Sequence, residues 1–150
     1  MLIPSMELVN RTDILIYHVH TTESFTPCAE FSYEMTGNFR TIDLNYSIAR
    51  VGREFAELLE TRGFSVDHDT TIHDFPAFSG SYARGLETAQ RRLNNTNTQI
   101  VIDMHRDAIG DGSFGPRVNI DGEYVAQLMF VIRYKSEVDC TTQIGGITYK

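Results

Sequence analysis

Three side chains have the types and the spacing to hold a zinc ion. His20 and Glu23 stand three apart in Tyr17-His18-Val19-His20-Thr21-Thr22-Glu23-Ser24, so a turn after His20 brings both toward one point. His105 closes a second apolar run, Ile100-Val101-Ile102-Asp103-Met104-His105-Arg106-Asp107. Zinc takes imidazole nitrogen and carboxylate oxygen at about 2.0–2.2 Å, and two histidines with one carboxylate leave a fourth position open, as in hydrolytic sites. An ion held this way lowers the pKa of its water to about 7 and polarises a carbonyl, which suits amide hydrolysis.

The neighbours of this set can support it. In an extended strand His18 faces the same side as His20, so it is either the alternative ligand or an outer partner that orients His20; His20 is preferred. Asp103 and Asp107 flank His105 and suit the outer carboxylate that accepts an imidazole N–H. Arg106 offers a planar fork of donors for a substrate carboxylate or a developing oxyanion. Hydrolysis also asks for a general base near the water. Glu123 and Glu137 come late enough in the chain to belong to another strand end, and Glu30 and Glu34 lie in a loop over the site. None of the four is singled out by its context. His68 and His73, each beside an aspartate, read as loop anchors, and Asn45 as a cap or local backbone tie.

Those side chains need elements to position them. Ile14 to Tyr17 is a short continuous apolar run, the mark of a strand covered on both faces, and strand ends are where open α/β sheets keep their sites. A helix is expected over residues 43–62, where Leu44, Ile48, Val51, Phe55, Leu58 and Leu59 recur at three- and four-residue steps, with Gly63 as its C-terminal cap. A short strand at 64–66 and a polar loop from Asp67 to Pro76 follow. A second helix over 81–94 places Tyr82, Leu86, Ala89 and Leu93 on an inward face. Asp121-Gly122 marks a type I′ hairpin between 118–120 and a long strand at 125–134. The expected fold is a single α/β domain at 13–134, a mostly parallel sheet flanked by helices, after a lead-in at 1–12 and before an irregular tail at 135–150.

With 150 residues and 13 basic against 20 acidic side chains, net charge −7, the chain is long enough to fold without a structural metal. It also lacks any basic run, so nucleic acid is not an expected partner. Two distant cysteines make no disulfide framework. Met1 to Arg11 does not read as a signal peptide, and no run approaches the roughly 20 apolar residues of a membrane span.

Five stretches in order resemble the catalytic domain of the stage II sporulation protein P family. They are Ile16-Tyr17-His18-Val19-His20-Thr21-Thr22-Glu23-Ser24-Phe25, Asn45 through Gly52, Val66 through Pro76, Ser81-Tyr82-Ala83-Arg84, and Ile102-Asp103-Met104-His105-Arg106-Asp107. These are zinc-dependent cell-wall hydrolases of spore-forming bacteria, related to the N-acetylmuramoyl-L-alanine amidases. The resemblance implies cleavage of peptidoglycan between muramic acid and L-alanine, with endopeptidase action on cross-links as an added activity, during septal wall thinning in engulfment. It implies a lytic transglycosylase partner protein and an extracytoplasmic, membrane-associated setting for full-length members. The family's ligands fall on His20, Glu23 and His105. Its domain continues beyond Tyr134, where related amidases keep a catalytic glutamate, so this chain is expected to lack that part. Two other readings stand beside it: a zinc carboxypeptidase, whose ligand pattern is also His-x-x-Glu with a distant His, and a non-catalytic wall-binding module.

Overall fold

The computed structural model describes residues 13–107, 117–134, 143–144 and 147–148. At its centre β1 (Asp13–Tyr17) runs parallel to β2 (Ser65–His68) on one side and β3 (Thr98–Arg106) on the other. The alternation of β1 explains its unbroken apolar sequence. Ile14 and Ile16 join Ile102 and Met104 in a core closed by Ile48 and Ala56 of α1 (Ile48–Thr61). Tyr17 and Val19 meet Gly85 of α2 (Ser81–Leu93), so β1 has a helix on each face.

Beyond β3 the sheet changes direction. β6 (Leu128–Tyr134) pairs antiparallel with β3, and the short β7 (Gln143–Ile144) and β8 (Ile147–Thr148) continue that edge in the order β2-β1-β3-β6-β7-β8. β4 (Arg117–Ile120) and β5 (Glu123–Ala126) form a separate two-stranded sheet. Their turn has φ of 53° at Asp121 and 94° at Gly122, the two positive values a type I′ hairpin needs. The parallel half of the mixed sheet holds the strands that lead to His20 and His105.

Several elements depart from the sequence reading. The first helix starts at Ile48, not near 43, because the preceding residues pair with the chain leaving β1: Thr41 N–H donates to Thr22 O, Ser24 bridges Ser47, and Ile48 N–H donates to Glu23 O at 2.6 Å. Ser47 then caps the helix by accepting from Ala49 N–H. β2 runs on to His68, taking two residues expected in the loop. The expected strand at 125–134 divides at Gln127, whose carbonyl accepts Asp107 N–H, and the chain changes sheets there. Within the stretch expected as an irregular tail, β7 and β8 are paired strands.

The largest departure is the face of α2. Its buried residues are Ser81, Gly85, Thr88 and Ala89, while Tyr82 and Leu86, expected inside, are 66% and 57% exposed. Gly85 explains the rotation: a Cβ there would lie 2.7 Å from Val19 Cγ2, so the helix backbone approaches β1 more closely than any larger residue permits. A stripe of small residues has displaced the apolar one. Gly85→Val should therefore cost about 2 kcal/mol or more through overpacking, whereas Leu86→Ala should cost less than about 1 kcal/mol, as surface changes do. Urea denaturation of both variants checks this; a costlier Leu86→Ala would mean that Leu86 is core after all.

Candidate functional site

The site forms where β1 and β3 end side by side. Tyr17 pairs with Asp103, which sets the register of the two strand ends. After Tyr17 the strand stops and the chain turns, with Glu23 N–H donating to His20 O at 3.0 Å. That turn separates two histidines whose alternation in a continued strand would have kept them together. His18 remains on the α1 side with Ile14 and Ile16, and His20 swings to the end of the sheet.

His18 is fully buried and both of its ring nitrogens are engaged. Nδ1 donates to Met104 O at 2.9 Å, leaving Nε2 to accept from His68 Nε2–H at 2.9 Å. Burial pushes its pKa down to about 4, so it stays neutral, and burial lowers His68 as well. Gly52 of α1 makes room for the pair: a Cβ there would meet His68 Nε2 at 2.7 Å and His18 at 2.8 Å. His73 holds the outgoing chain, donating from Nδ1 to His18 O and accepting at Nε2 from the Thr88 hydroxyl.

The rings of His20 and His105 face each other with centroids 5.4 Å apart. His105 Nδ1 lies 3.5 Å from Glu23 Oε2, and its Nε2 lies 3.0 Å from Asp103 Oδ2. Asp103 spends its other oxygen on Val19 N–H at 3.0 Å, satisfying a backbone donor that leaves the sheet. Glu23 also accepts from Arg106 N–H at 3.2 Å. Among buried side-chain atoms of the described residues, His20 Nδ1 and Arg106 Nε have no hydrogen-bond partner.

Two further charged residues complete the cluster, and neither stood out in the sequence. Asp74 is buried, takes Thr22 N–H and the Thr22 hydroxyl, and comes within 3.9 Å of His20 Nδ1. Arg40 donates to Asp74 at 2.5 Å, lies 3.8 Å from Glu23 Oε1, and covers the Phe78 ring. Phe78 in turn stacks on His20, and Tyr82 meets His20 edge to face. The signal for Asp74 was its place beside His73 at the end of the Asp67-to-Asp74 run; for Arg40, within an irregular aromatic loop, there was none.

Other residues weighed from sequence lie elsewhere. Glu123 is exposed in the two-stranded sheet, Glu30 and Glu34 are exposed in the loop after β1, and Glu137 lies outside the described residues. Asn45 ties locally to Asp43. Asp107 follows β3, with its N–H on Gln127 O.

Among the described residues no group of three or more His, Cys, Asp or Glu side chains is already placed to hold a metal ion. The donor set nonetheless fits zinc on three counts. Ligands about 2.1 Å from a tetrahedral zinc lie roughly 3.4 Å apart, close to the 3.5 Å between His105 Nδ1 and Glu23 Oε2. The orphaned His20 Nδ1 has no protein partner to lose. With His105 neutral, the carboxylates of Glu23, Asp74 and Asp103 face one guanidinium, Arg40, an excess of two negative charges that a dication would balance.

Without an ion, a proton fills part of that deficit. Burial acts to lower the His105 pKa, but its contacts with Asp103 and Glu23 outweigh burial and raise it to about 9, while burial lowers that of His20. Because the folded-state value is raised, His105 stabilises the metal-free protein fully below its unfolded pKa of 6.5, and the contribution is lost as pH rises through about 9. Burial lowers His18, His20 and His68, so they act in the opposite sense while the unfolded chain loses its histidine protons around pH 6.5, and the His105 contribution is read alone above about pH 7.5. Metal-free protein should lose about 2 kcal/mol between pH 7.5 and 9.5, and His105→Gln should flatten the curve. Urea titrations across that range decide it, and equal slopes in both proteins would remove His105 as the cause.

Comparison with known proteins adds what geometry cannot. The family model for stage II sporulation protein P (SpoIIP) matches residues 7–143. The chain is also similar to "Stage II sporulation protein P" of Bacillus subtilis (strain 168), 27% identical over 143 residues, which cover 89% of this chain and 34% of the relative. It thus spans about a third of the length of the curated relative it matches. No solved structure matches.

Proposed function

The chain belongs to the stage II sporulation protein P family, and on that premise we propose that it is a zinc-dependent peptidoglycan hydrolase acting in sporulation. The bond cleaved is the amide between N-acetylmuramic acid and L-alanine, in the septal wall during engulfment. What supports this reading most is the convergence of His105 Nδ1, the Glu23 carboxylate and the unpartnered His20 Nδ1 at the ends of two parallel strands. His20, Glu23 and His105 would hold the ion. A zinc ion held there would supply a Lewis acid for the amide carbonyl and lower the pKa of its water.

The chain's own residues do the rest. Asp103 holds the His105 ring through Nε2, so Nδ1 is the nitrogen turned toward Glu23. Arg40 shares its charge between Glu23 and Asp74, which keeps two neighbouring carboxylates compatible. Arg106 steadies Glu23 through its backbone N–H. In the family's setting the protein works outside the cytoplasm on peptidoglycan, with a lytic transglycosylase as its partner. Among the described residues, no helix is long and apolar enough to cross a membrane.

A second reading, wall binding without turnover, has its own support. Glu23, Asp74 and Asp103 are each committed to donors, so among the described residues no carboxylate at the site is left over to serve as general base. Metal content and digestion of purified sacculi separate the two. The first reading expects one zinc per chain, its loss in the His20→Ala, His105→Ala double variant, new L-alanine amino termini from sacculi, and zinc affinity reduced about 10- to 100-fold by Asp103→Asn. Zinc without new amino termini would leave the binding reading, and a zinc-free wild-type chain would end the hydrolase reading.

A further inference from the structure

The aromatic residues around His20 outnumber what is needed to hold one imidazole. Phe78 stacks on the His20 ring with centroids 4.7 Å apart, and Tyr82 approaches it edge to face at 5.2 Å. Arg40 also lies against the Phe78 ring, but Phe78 keeps 54% exposure and Tyr82 66%, with Phe75 beside them in sequence at 44%. Tyr82 is one of the residues that the close approach of Gly85 turns outward, so its exposure follows from how α2 packs. Large exposed aromatics bordering a polar, buried cluster are a usual form of ligand wall.

The loop that carries Phe78 is also fixed in place. Arg84, on the first turns of α2, donates from Nε to His73 O at 2.6 Å, from one terminal nitrogen to Ser79 O at 3.2 Å, and from the other to Ala77 O at 2.5 Å. One guanidinium thus gathers three carbonyls from residues 73–79, and His73 anchors the start of that loop to β1 and α2. A wall set before a ligand arrives loses little freedom on binding.

The geometry points to Phe78 and Tyr82, on the loop stapled by Arg84, as a platform for the pyranose ring of an N-acetylated sugar beside His20. This rests on the peptidoglycan reading above and specifies which part of that substrate the wall takes. A pyranose presents a flat C–H face to an aromatic ring and carries hydroxyls at its rim for nearby polar groups. An extended peptide fits less well, because β1, which leads to His20, lies between β2 and β3 and offers no free edge to its backbone.

The test uses the whole chain and needs neither zinc nor turnover. Binding of a β-1,4-linked N-acetylglucosamine tetrasaccharide, and separately of the dipeptide L-alanyl-D-glutamate, is measured by calorimetry or ligand-detected NMR. Wild-type, Tyr82→Ala, Tyr82→Trp and Phe78→Ala proteins are compared, with zinc content and urea stability recorded for each. The tetrasaccharide should bind, Tyr82→Ala and Phe78→Ala should weaken it about tenfold, and Tyr82→Trp should retain it. Binding of the dipeptide alone, no binding of either probe, or sugar binding indifferent to both alanine variants would overturn the platform. Sugar binding by a chain that takes up no zinc would overturn the hydrolase reading and leave the platform standing.

Discussion

The carboxylate of Asp103 is the interaction on which the site hangs. One oxygen accepts the Val19 N–H just after β1 leaves the sheet, and the other holds His105 Nε2. A backbone donor at a strand end and an imidazole two residues further along β3 are thereby fixed by one buried group. Each contact removes an unsatisfied polar atom from the interior, where leaving one costs about 1–3 kcal/mol. The direction in which Val19-His20-Thr21 turns and the nitrogen that His105 presents to Glu23 are coupled through it.

Around that tie the charges are crowded and compensated in pairs. Asp74 is held by Thr22 and Arg40, Glu23 by Arg106 N–H with Arg40 nearby, and His105 lies between Glu23 and Asp103. Buried carboxylates are tolerated only when paired and hydrogen-bonded, and the one cation shared between Glu23 and Asp74 cannot neutralise all three. His105 meets the remaining need by holding its proton far above the ordinary histidine range. The same deficit is what makes the cluster suited to a divalent cation, so one electrostatic imbalance accounts for both the raised histidine and the proposed ligand set.

Packing on the two faces of β1 follows one device used twice. Gly52 lets α1 close over the His18–His68 pair, and Gly85 lets α2 close over Val19. In both places the missing Cβ lets a helix come nearer to the strand that feeds the site. The consequence on the α2 side is functional: small residues turn inward, and Tyr82 turns out toward His20.

Local sequence was enough for strands in the apolar runs from Ile14 and Ile100, for the presence of two helices, for the Asp121-Gly122 hairpin and for singling out His20, Glu23 and His105, which the fold brings near one another, because each is a matter of periodicity, turn chemistry or spacing along the chain. It could not decide between His18 and His20 as the neighbour of His105, since that depends on where strand geometry gives way to a turn, and the turn is held by Asp103 from 84 residues away. Nor could it find Arg40 or Asp74, whose partners are distant in sequence. It also placed Tyr82 and Leu86 in the core, because an apolar stripe looks inward until the space beneath it is known. That space is set by the fit of Gly85 against Val19, a property of two elements together that neither sequence segment contains by itself.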